Sequence, residues 1–578
     1  MPERTCDVLV IGSGAGGLAA AITARKLGLE VIVVEKEKVF GGTTAFSGGV
    51  LWVPGNHICP AAAQDTRAAA RAYLKSETGN FYDDAAVEAF LDHAPRMLEF
   101  FTRETAVQFV PTLYPDYHPT AEGGVNVGRS VLAAPFDITE LGSNRKRLRP
   151  PLSTITFIGM MFNSSNADLK HFFRATKSVT SAMYVAKRLA SHARDLVQYG
   201  QGVTVTSGNA LAARLAKSAF DLGIELLTEA PARRLLMEQD RVTGAVIGLP
   251  AGETTIIARR GVVLACGGFA HDLGRIAQAY PHVARGGTHV SPVPTGNTGD
   301  GLALAEQVGG RCEIRFPNAA AWMPVSRVPR RDGSFGVFPH LLDRYKPGII
   351  AVNAKGQRFC NESESYHDVG AAMIATCEGQ AETCCWLIAD HPTIRKYGLG
   401  YAKPAPVPLR GSIANGYLTK GRTLRELATK IGVDPAGLEA TVARYNIGAV
   451  HGEDPEFGRG STSFNRYLAD PAHKPNPCVG PVQQGPFYAV KLVMGDLGSF
   501  DGLSTDTVGR VLNQQNQTAQ SGQLGTAIQS GAFGGDRAGI AAANLAGQQE
   551  LAYGNTMAPI LQQGYNTALS TAQQQQGV

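Results

Sequence analysis

The chain has little charge of either sign to spare: 18 % of its 578 residues are charged and the formal net charge is only +5. So small a surplus over this length leaves no electrostatic footprint for nucleic acid. Nine cysteines are scattered without a single C-x-x-C spacing. That argues against a thioredoxin-type dithiol, covalent haem and the common zinc patterns, so no metal site is expected. An odd, dispersed set reads as the reduced thiols of a cytoplasmic protein. No run of about 18 apolar residues is free of glycine or charge, so no spanning helix is expected. No basic segment followed by an apolar stretch opens the chain, so export by a standard signal is not expected either.

What is abundant is glycine, at 67 residues, within a composition that is 44 % hydrophobic. This is the balance of a globular α/β protein with many tight turns, and the length calls for two domains. The one basic cluster, RKRLR at Arg145–Arg149, precedes Pro150-Pro151. It reads most simply as a solvated loop, with weak contact to a membrane or another anionic partner as the alternative.

CDVLVIGSGAGGLAAAITARKLGLEVIVVEKE, near the start, reads as strand, glycine turn, helix and second strand. DVLVIG is the unbroken apolar run that a buried parallel strand needs. Gly12, Gly14 and Gly17 complete G-x-G-x-x-G, with Ser13, Ala15 and Gly16 between them. The first glycine serves a tight turn, the second the approach of a pyrophosphate, the third close helix–strand packing. The helix N-terminus then presents free N–H groups to the phosphate. Glu35 closes the second strand about 20 residues on, where a carboxylate takes both ribose hydroxyls; Lys36 follows it. NAD and FAD share this fingerprint. VFGGTTAFSGGVLWVPGN (Val39–Asn56) favours the flavin, because its glycine pairs and small hydroxyl residues let extended backbone lie along a long cofactor. GVVLACGGFAHD (Gly261–Asp272) is a further buried strand ending in glycines, and TGNTGDGLALAEQVGG (Thr295–Gly310) a glycine turn entering a helix.

This ordered string resembles the flavoprotein superfamily of fumarate reductase and succinate dehydrogenase, and within it the 3-ketosteroid dehydrogenase branch, from about residue 5 to about residue 512. WVPGN resembles the W-x-P-x-N of that branch, and the segment Phe464–Leu512, with GDLG at Gly495–Gly498 and Thr505-Asp506, resembles its return into the cofactor domain. The resemblance implies a Rossmann-like FAD-binding domain, residues 1–323 and 490–578, with an inserted α+β catalytic domain, residues 324–489. It also implies FAD contacts at Gly42, Thr43, Thr44, Ser47, Gly48, Gly49, Ala232, Cys266, Gly267, Gly268, Asn297 and Asp300. Gly42 stands where succinate dehydrogenases attach FAD through a histidine, so non-covalent FAD is expected.

Counted from Asn361-Glu362 in RFCNESESYHDVGAAM, the position of the reductases' proton-donating arginine is Tyr366. In the ketosteroid dehydrogenases it is the tyrosine proposed as base. An unperturbed phenol titrates near 10, so a base role needs a neighbour that favours the phenolate or accepts its proton. His367 and Asp368 rank behind it, since adjacent side chains point elsewhere. The branch has a second tyrosine before a proline. Here YPDYHPTAEGG puts His118 directly before Pro119 and Tyr117 one earlier, so either His118 shares the proton of Tyr366 or Tyr117 turns into the family role. Beyond Leu512 the chain is rich in glutamine, alanine and glycine. By spacing Arg537, or by identity Tyr565, takes the place of the branch's carbonyl-polarising tyrosine. The implied reaction is FAD-dependent desaturation beside a ketone, in ring A of a 3-ketosteroid, with hydride passing to flavin N5 and electrons leaving to an external acceptor. A segment such as ITFIGMMF (Ile155–Phe162) suits the apolar wall of a hydrophobic substrate site. The alternatives are a fumarate- or enoate-type reductase and an inactive FAD-binding homologue.

Overall fold

A computed structural model describes residues 3–157, 159–161, 171 and 178–513. The opening strand, Glu3–Ile11, sits near the middle of a six-stranded sheet ordered Glu225–Leu227, Val31–Val34, Glu3–Ile11, Gly252–Leu264, Arg241–Leu249, Ala232–Glu238. The first four strands run parallel, and Arg241–Leu249 pairs antiparallel with the strands on either side of it. Val31–Val34 is buried at all four positions, as a parallel strand covered on both faces must be. The helix Ala15–Lys26 follows the glycine turn and packs against the helix Ser207–Asp221, whose first turn is wholly buried. The FAD-domain fold expected from the sequence is present.

A second, antiparallel sheet runs Phe335–Pro339, Ala320–Pro329, Phe487–Ser499, Cys384–Asp390, Ile349–Val352, with Thr419–Gly421 also paired to Phe487–Ser499. The helices Leu424–Ile431 and Pro435–Ala449 share one apolar cluster with it, and Met373 of the helix Tyr366–Thr376 belongs to another. Residues 324 and 489 both fall inside its strands, so this sheet starts at Ala320 and ends at Ser499, slightly outside the expected catalytic segment. A three-stranded sheet of Val50–Trp52, Ser130–Ala133 and Phe109–Pro111 supports the loop that carries Tyr117. Among the described residues no helix is long and apolar enough to cross a membrane.

One expectation is corrected here. The basic cluster is not a solvated loop: of its five residues only Lys146 is exposed. Phe40 N donates to Arg147 O and Arg149 N to Phe40 O, which zips the cluster onto the segment leading into Gly41–Gly42. Arg147 donates to Leu226 O at 2.6 Å, so this cation faces inward.

Candidate active site

The glycine turn is built by close approach. Gly12 has φ +110°, and a Cβ there would lie 2.2 Å from Ala265 O; one on Gly17 would lie 2.0 Å from Gly12 O. These are the tight turn and the helix–strand packing expected of the first and third glycines. Beside Gly14, by contrast, the nearest atom to a would-be Cβ is Thr44 Oγ1 at 3.7 Å. Thr44 Oγ1 accepts from Ala15 N at 3.0 Å, which joins the 41–49 segment to the helix start. Ser47 Oγ donates to Thr44 O, and Gly49 N donates to Ser47 Oγ. Thr43 opens the 3-10 turn Thr43–Phe46, with Gly42 before it and Gly48 after Ser47. Gly16 lies in the first helical turn.

Glu35 is buried, and its carboxylate accepts from Ser13 N and Oγ and from Glu37 N. A carboxylate has about four acceptor sites, so it keeps capacity for ribose hydroxyls. Ala230 N donates to Glu35 O, bringing the chain that leads into Ala232 beside it. Lys36 and Asp300, both expected at the cofactor, pair with each other at 2.6 Å, with Thr298 joining them. Burial pushes the Asp300 carboxyl up, but Lys36 and Thr298 outweigh it and hold it low. Asn297 Oδ1 accepts from Ala270 N at 3.0 Å, and Asn297 Nδ2 packs on Gly267; Gly268 packs on Ser499. Cys266 points back at Ile11 O, its thiol pushed up to about 12 chiefly by burial, and so is unreactive.

Two features of this cradle go beyond the sequence reading. Ser207 has φ +56° without being glycine, in the turn where a Cβ on Gly208 would lie 2.0 Å from Thr44 O. The strain aims the N-terminus of the helix Ser207–Asp221 at the 43–49 segment. The small residues of TSGNA were the available signal. The other is Arg149, whose Nε is buried with no partner while its guanidinium sits 5.8 Å from the Phe46 ring. Burial lowers its pKa, with Glu37 and Glu35 pulling the other way. A cation left short of hydrogen-bond acceptors beside an open glycine turn fits an anionic dinucleotide such as FAD. The backbone of 12–17 and 42–49, Glu35 and Arg149 are the residues that would hold it.

Tyr366 is the first residue of the helix Tyr366–Thr376. Ser365 Oγ caps the helix by accepting from Asp368 N and donates in turn to Asp368 Oδ2 at 2.6 Å. The preceding RFCNE is nailed down by buried ion pairs: Arg358 pairs with Glu362 at 2.7 Å and Asp454 at 2.8 Å, and Arg459 reaches Glu362 at 3.2 Å. Tyr366 packs with Val290, Met323, Val325 and Val493. Tyr117 OH donates to Tyr366 OH at 2.8 Å, the rings edge to face at 5.7 Å. Burial holds the Tyr366 phenol above its ordinary value, and the hydrogen bond from Tyr117 offsets only part of that rise. Tyr117 keeps 41 % of its surface open, yet stands among Tyr114, Tyr345, Phe464 and Tyr366. Desolvation and that hydrogen bond hold its own phenol well above the ordinary value. Of the two, Tyr366 therefore ionises first, and it does so at the positive end of a helix.

His118 does not join this pair. Its Nδ1 meets Glu77 at 2.7 Å and its Nε2 meets Asp368 at 3.1 Å. Asp368, then Glu77, raise it to about 10, so it is already protonated at neutral pH and accepts nothing from Tyr366. His367 takes Trp322 N through Nδ1 at 3.4 Å. Arg537 and Tyr565 lie outside the described residues.

A family model described as FAD binding domain matches residues 7–520. The 4-oxocyclohex-2-ene-1-carboxylate 5-dehydrogenase of Sinomonas cyclohexanicum is 45 % identical over 88 % of this chain and 86 % of its own length. The 3-oxosteroid 1-dehydrogenase of Mycolicibacterium smegmatis is 33 % identical over 99 % of this chain and 98 % of its own. Among solved structures, the 3-ketosteroid delta1-dehydrogenase of Sterolibacterium denitrificans, in complex with 1,4-androstadiene-3,17-dione, superposes with a TM-score of 0.80 at 33 % identity, over 89 % of this chain and 91 % of that one.

Proposed function

The chain belongs to the FAD binding domain family, in the 3-ketosteroid dehydrogenase branch of the fumarate reductase and succinate dehydrogenase flavoproteins, and from this we propose that it desaturates the carbon pair next to the ketone of a six-membered ring carrying a carboxylate. It is an FAD-dependent oxidoreductase. The observation that carries the direction of the reaction is the Tyr117–Tyr366 contact at a helix N-terminus, where the reductases have a cation. Burial raises the Tyr366 phenol, and a neighbouring hydroxyl and a helix dipole work against that rise, which suits the phenol to take a proton from carbon. A fumarate-type reductase would need an arginine there to give one.

In this reading Tyr366 removes the hydrogen α to the carbonyl. Tyr117 holds the phenolate before transfer, and its open side lets the proton leave toward water afterwards. Val290, Met323, Val325 and Val493 keep water from the inner side of Tyr366. FAD, when bound, supplies the two-electron acceptor, and an external acceptor takes the electrons onward.

The choice of a small oxo-acid ring over a steroid rests on the 45 % identity to the cyclohexenecarboxylate dehydrogenase against 33 % to the steroid enzymes. The steroid reading has its own support in the end-to-end match and the solved structure. The two are separated by anaerobic mixing of the yellow holoenzyme with 4-oxocyclohex-2-ene-1-carboxylate and with a 4-ene-3-ketosteroid. The ring acid loses two hydrogens to give a dienone that tautomerises to 4-hydroxybenzoate. Flavin bleaching with that product supports the proposal. Bleaching by the steroid alone replaces the substrate, and bleaching by neither refutes both.

A further inference from the structure

The two tyrosines are brought together by segments far apart in the chain, and the residues next to them are cross-linked as well. Directly after Tyr117 comes His118, and two residues after Tyr366 comes Asp368; the pair is bridged at 3.1 Å. The other imidazole nitrogen is held at 2.7 Å by Glu77, from the helix Arg67–Thr78. His118 N meets the Tyr73 hydroxyl of the same helix at 3.3 Å. On the other side of Tyr117, Asp116 is locked by fully buried Arg129 at 2.8 Å and by Trp52 Nε1 at 2.7 Å. Tyr117 is thus the middle residue of a three-residue run whose outer two are anchored by ion pairs, while it meets Tyr366 through its hydroxyl.

We infer that His118 is a positioning residue: as an imidazolium between Glu77 and Asp368, it bolts the loop of Tyr117 to the first turn of the helix of Tyr366 and so sets their hydroxyl contact. The inference rests on the dehydrogenase reading above for its consequence in turnover, but not for the contact itself. The cross-link lies parallel to the tyrosine contact and joins the same two segments, so losing it frees the loop to pivot about Asp116. The protonated state that a bridge between two carboxylates requires agrees with the pKa of about 10. The charged and titratable groups facing His118 are Glu77 and Tyr73 from the one helix and Asp368, Glu364 and His367 from the other segment. Neither ring nitrogen is left to carry a substrate proton.

The test uses holoenzyme bearing His118→Gln, Asp368→Asn, both together, and His118→Arg, which keeps a cation able to reach two carboxylates. His118→Gln is expected to slow flavin reduction by the ring ketone several-fold to about tenfold, no more than loss of the Tyr117 hydroxyl that it positions, with KM and flavin absorbance near wild type. His118→Arg recovers most of the loss, and the double variant is no worse than the worse single one. A readout independent of turnover is alkaline phenolate absorbance, taken for each protein minus its Tyr366→Phe form. Loss of the clamp moves that titration upward relative to His118→Arg, whose cation outlasts an imidazolium of pKa about 10 through the alkaline range, because Tyr117 no longer donates to Tyr366. A titration in both His118→Gln and Asp368→Asn no higher than that of His118→Arg overturns the inference, whatever the substrate is found to be. Additive losses rescued by free imidazole overturn it too, since they make His118 a proton carrier. If wild type reduces with no ring ketone, the dehydrogenase reading falls, and the titration still decides the clamp.

Discussion

Tyr117→Phe removes one hydroxyl and little else, since the ring keeps its edge-to-face contacts with Tyr366 and Phe464 at 5.7 and 5.2 Å. The lost interaction is the 2.8 Å hydrogen bond donated to Tyr366. A hydrogen bond to an ionised group contributes about 1.5–3 kcal/mol, and about 1.4 kcal/mol corresponds to one pKa unit. Tyr117 is partly open to water, so the lower end of that range applies and the Tyr366 phenol rises by roughly one unit. Below its pKa the phenolate fraction then falls about tenfold, and a stronger base returns part of that in intrinsic rate. The net expectation is a fall of several-fold to about tenfold in anaerobic flavin reduction at neutral pH, with the alkaline rise of the rate displaced upward by about one pH unit. Rapid mixing across a pH series measures both. An unchanged profile, or a loss equal at every pH, refutes the argument, because either result means that Tyr117 does not act through the ionisation of Tyr366.

Three further outcomes follow from the geometry. Arg149→Met should weaken FAD about tenfold or more, the worth of a charge-assisted hydrogen bond to phosphate, as read by fluorescence titration of the apoprotein; unchanged affinity would remove Arg149 from the cofactor site. Gly208→Ala, whose Cβ would lie 2.0 Å from Thr44 O, should also release flavin, seen as free yellow colour on gel filtration; retained stoichiometric flavin would show that the 43–49 segment gives way. Glu362→Gln breaks a fully buried network with Arg358 and Arg459 and should cost about 3–5 kcal/mol in denaturant unfolding. Burial alone would raise Glu362, but the two arginines override it and hold it at about 2, against an ordinary 4.5. A depressed carboxyl stabilises the fold above its unfolded pKa and loses that contribution as pH falls through the folded one. Wild-type stability should therefore decline between about 4.5 and about 2, and Glu362→Gln should lack that component; equal acid curves for the two proteins would refute the coupling.

The local chemistry of the cofactor turn is legible in the residues themselves. Gly12 and Gly17 must lack a Cβ because backbone passes within 2.2 Å of where it would be, and such demands are written residue by residue. The run of Val31–Val34 and the register from Asn361-Glu362 to Tyr366 are equally local. Less local properties are hidden from such a reading. RKRLR looks solvated because a run of cations usually is, yet Arg147 finds a carbonyl on another strand and Arg149 turns toward Phe46. Lys36 and Asp300, distant in the chain, pair with each other.

That this chain builds a dinucleotide turn with a carboxylate beyond it, and sets a phenol where related reductases carry a cation, is readable before folding is considered. Those features depend on residue type and short spacing, which folding does not alter. Which residue meets Tyr366 is instead set by contacts between distant segments. Tyr117 and His118 are neighbours in the chain, both able to exchange a proton. What separates them is that Glu77 and Asp368, from two other segments, converge on the imidazole and hold it charged, leaving the phenol of Tyr117 to turn toward Tyr366. Electrostatic neighbours so remote in sequence exist only once the chain is folded.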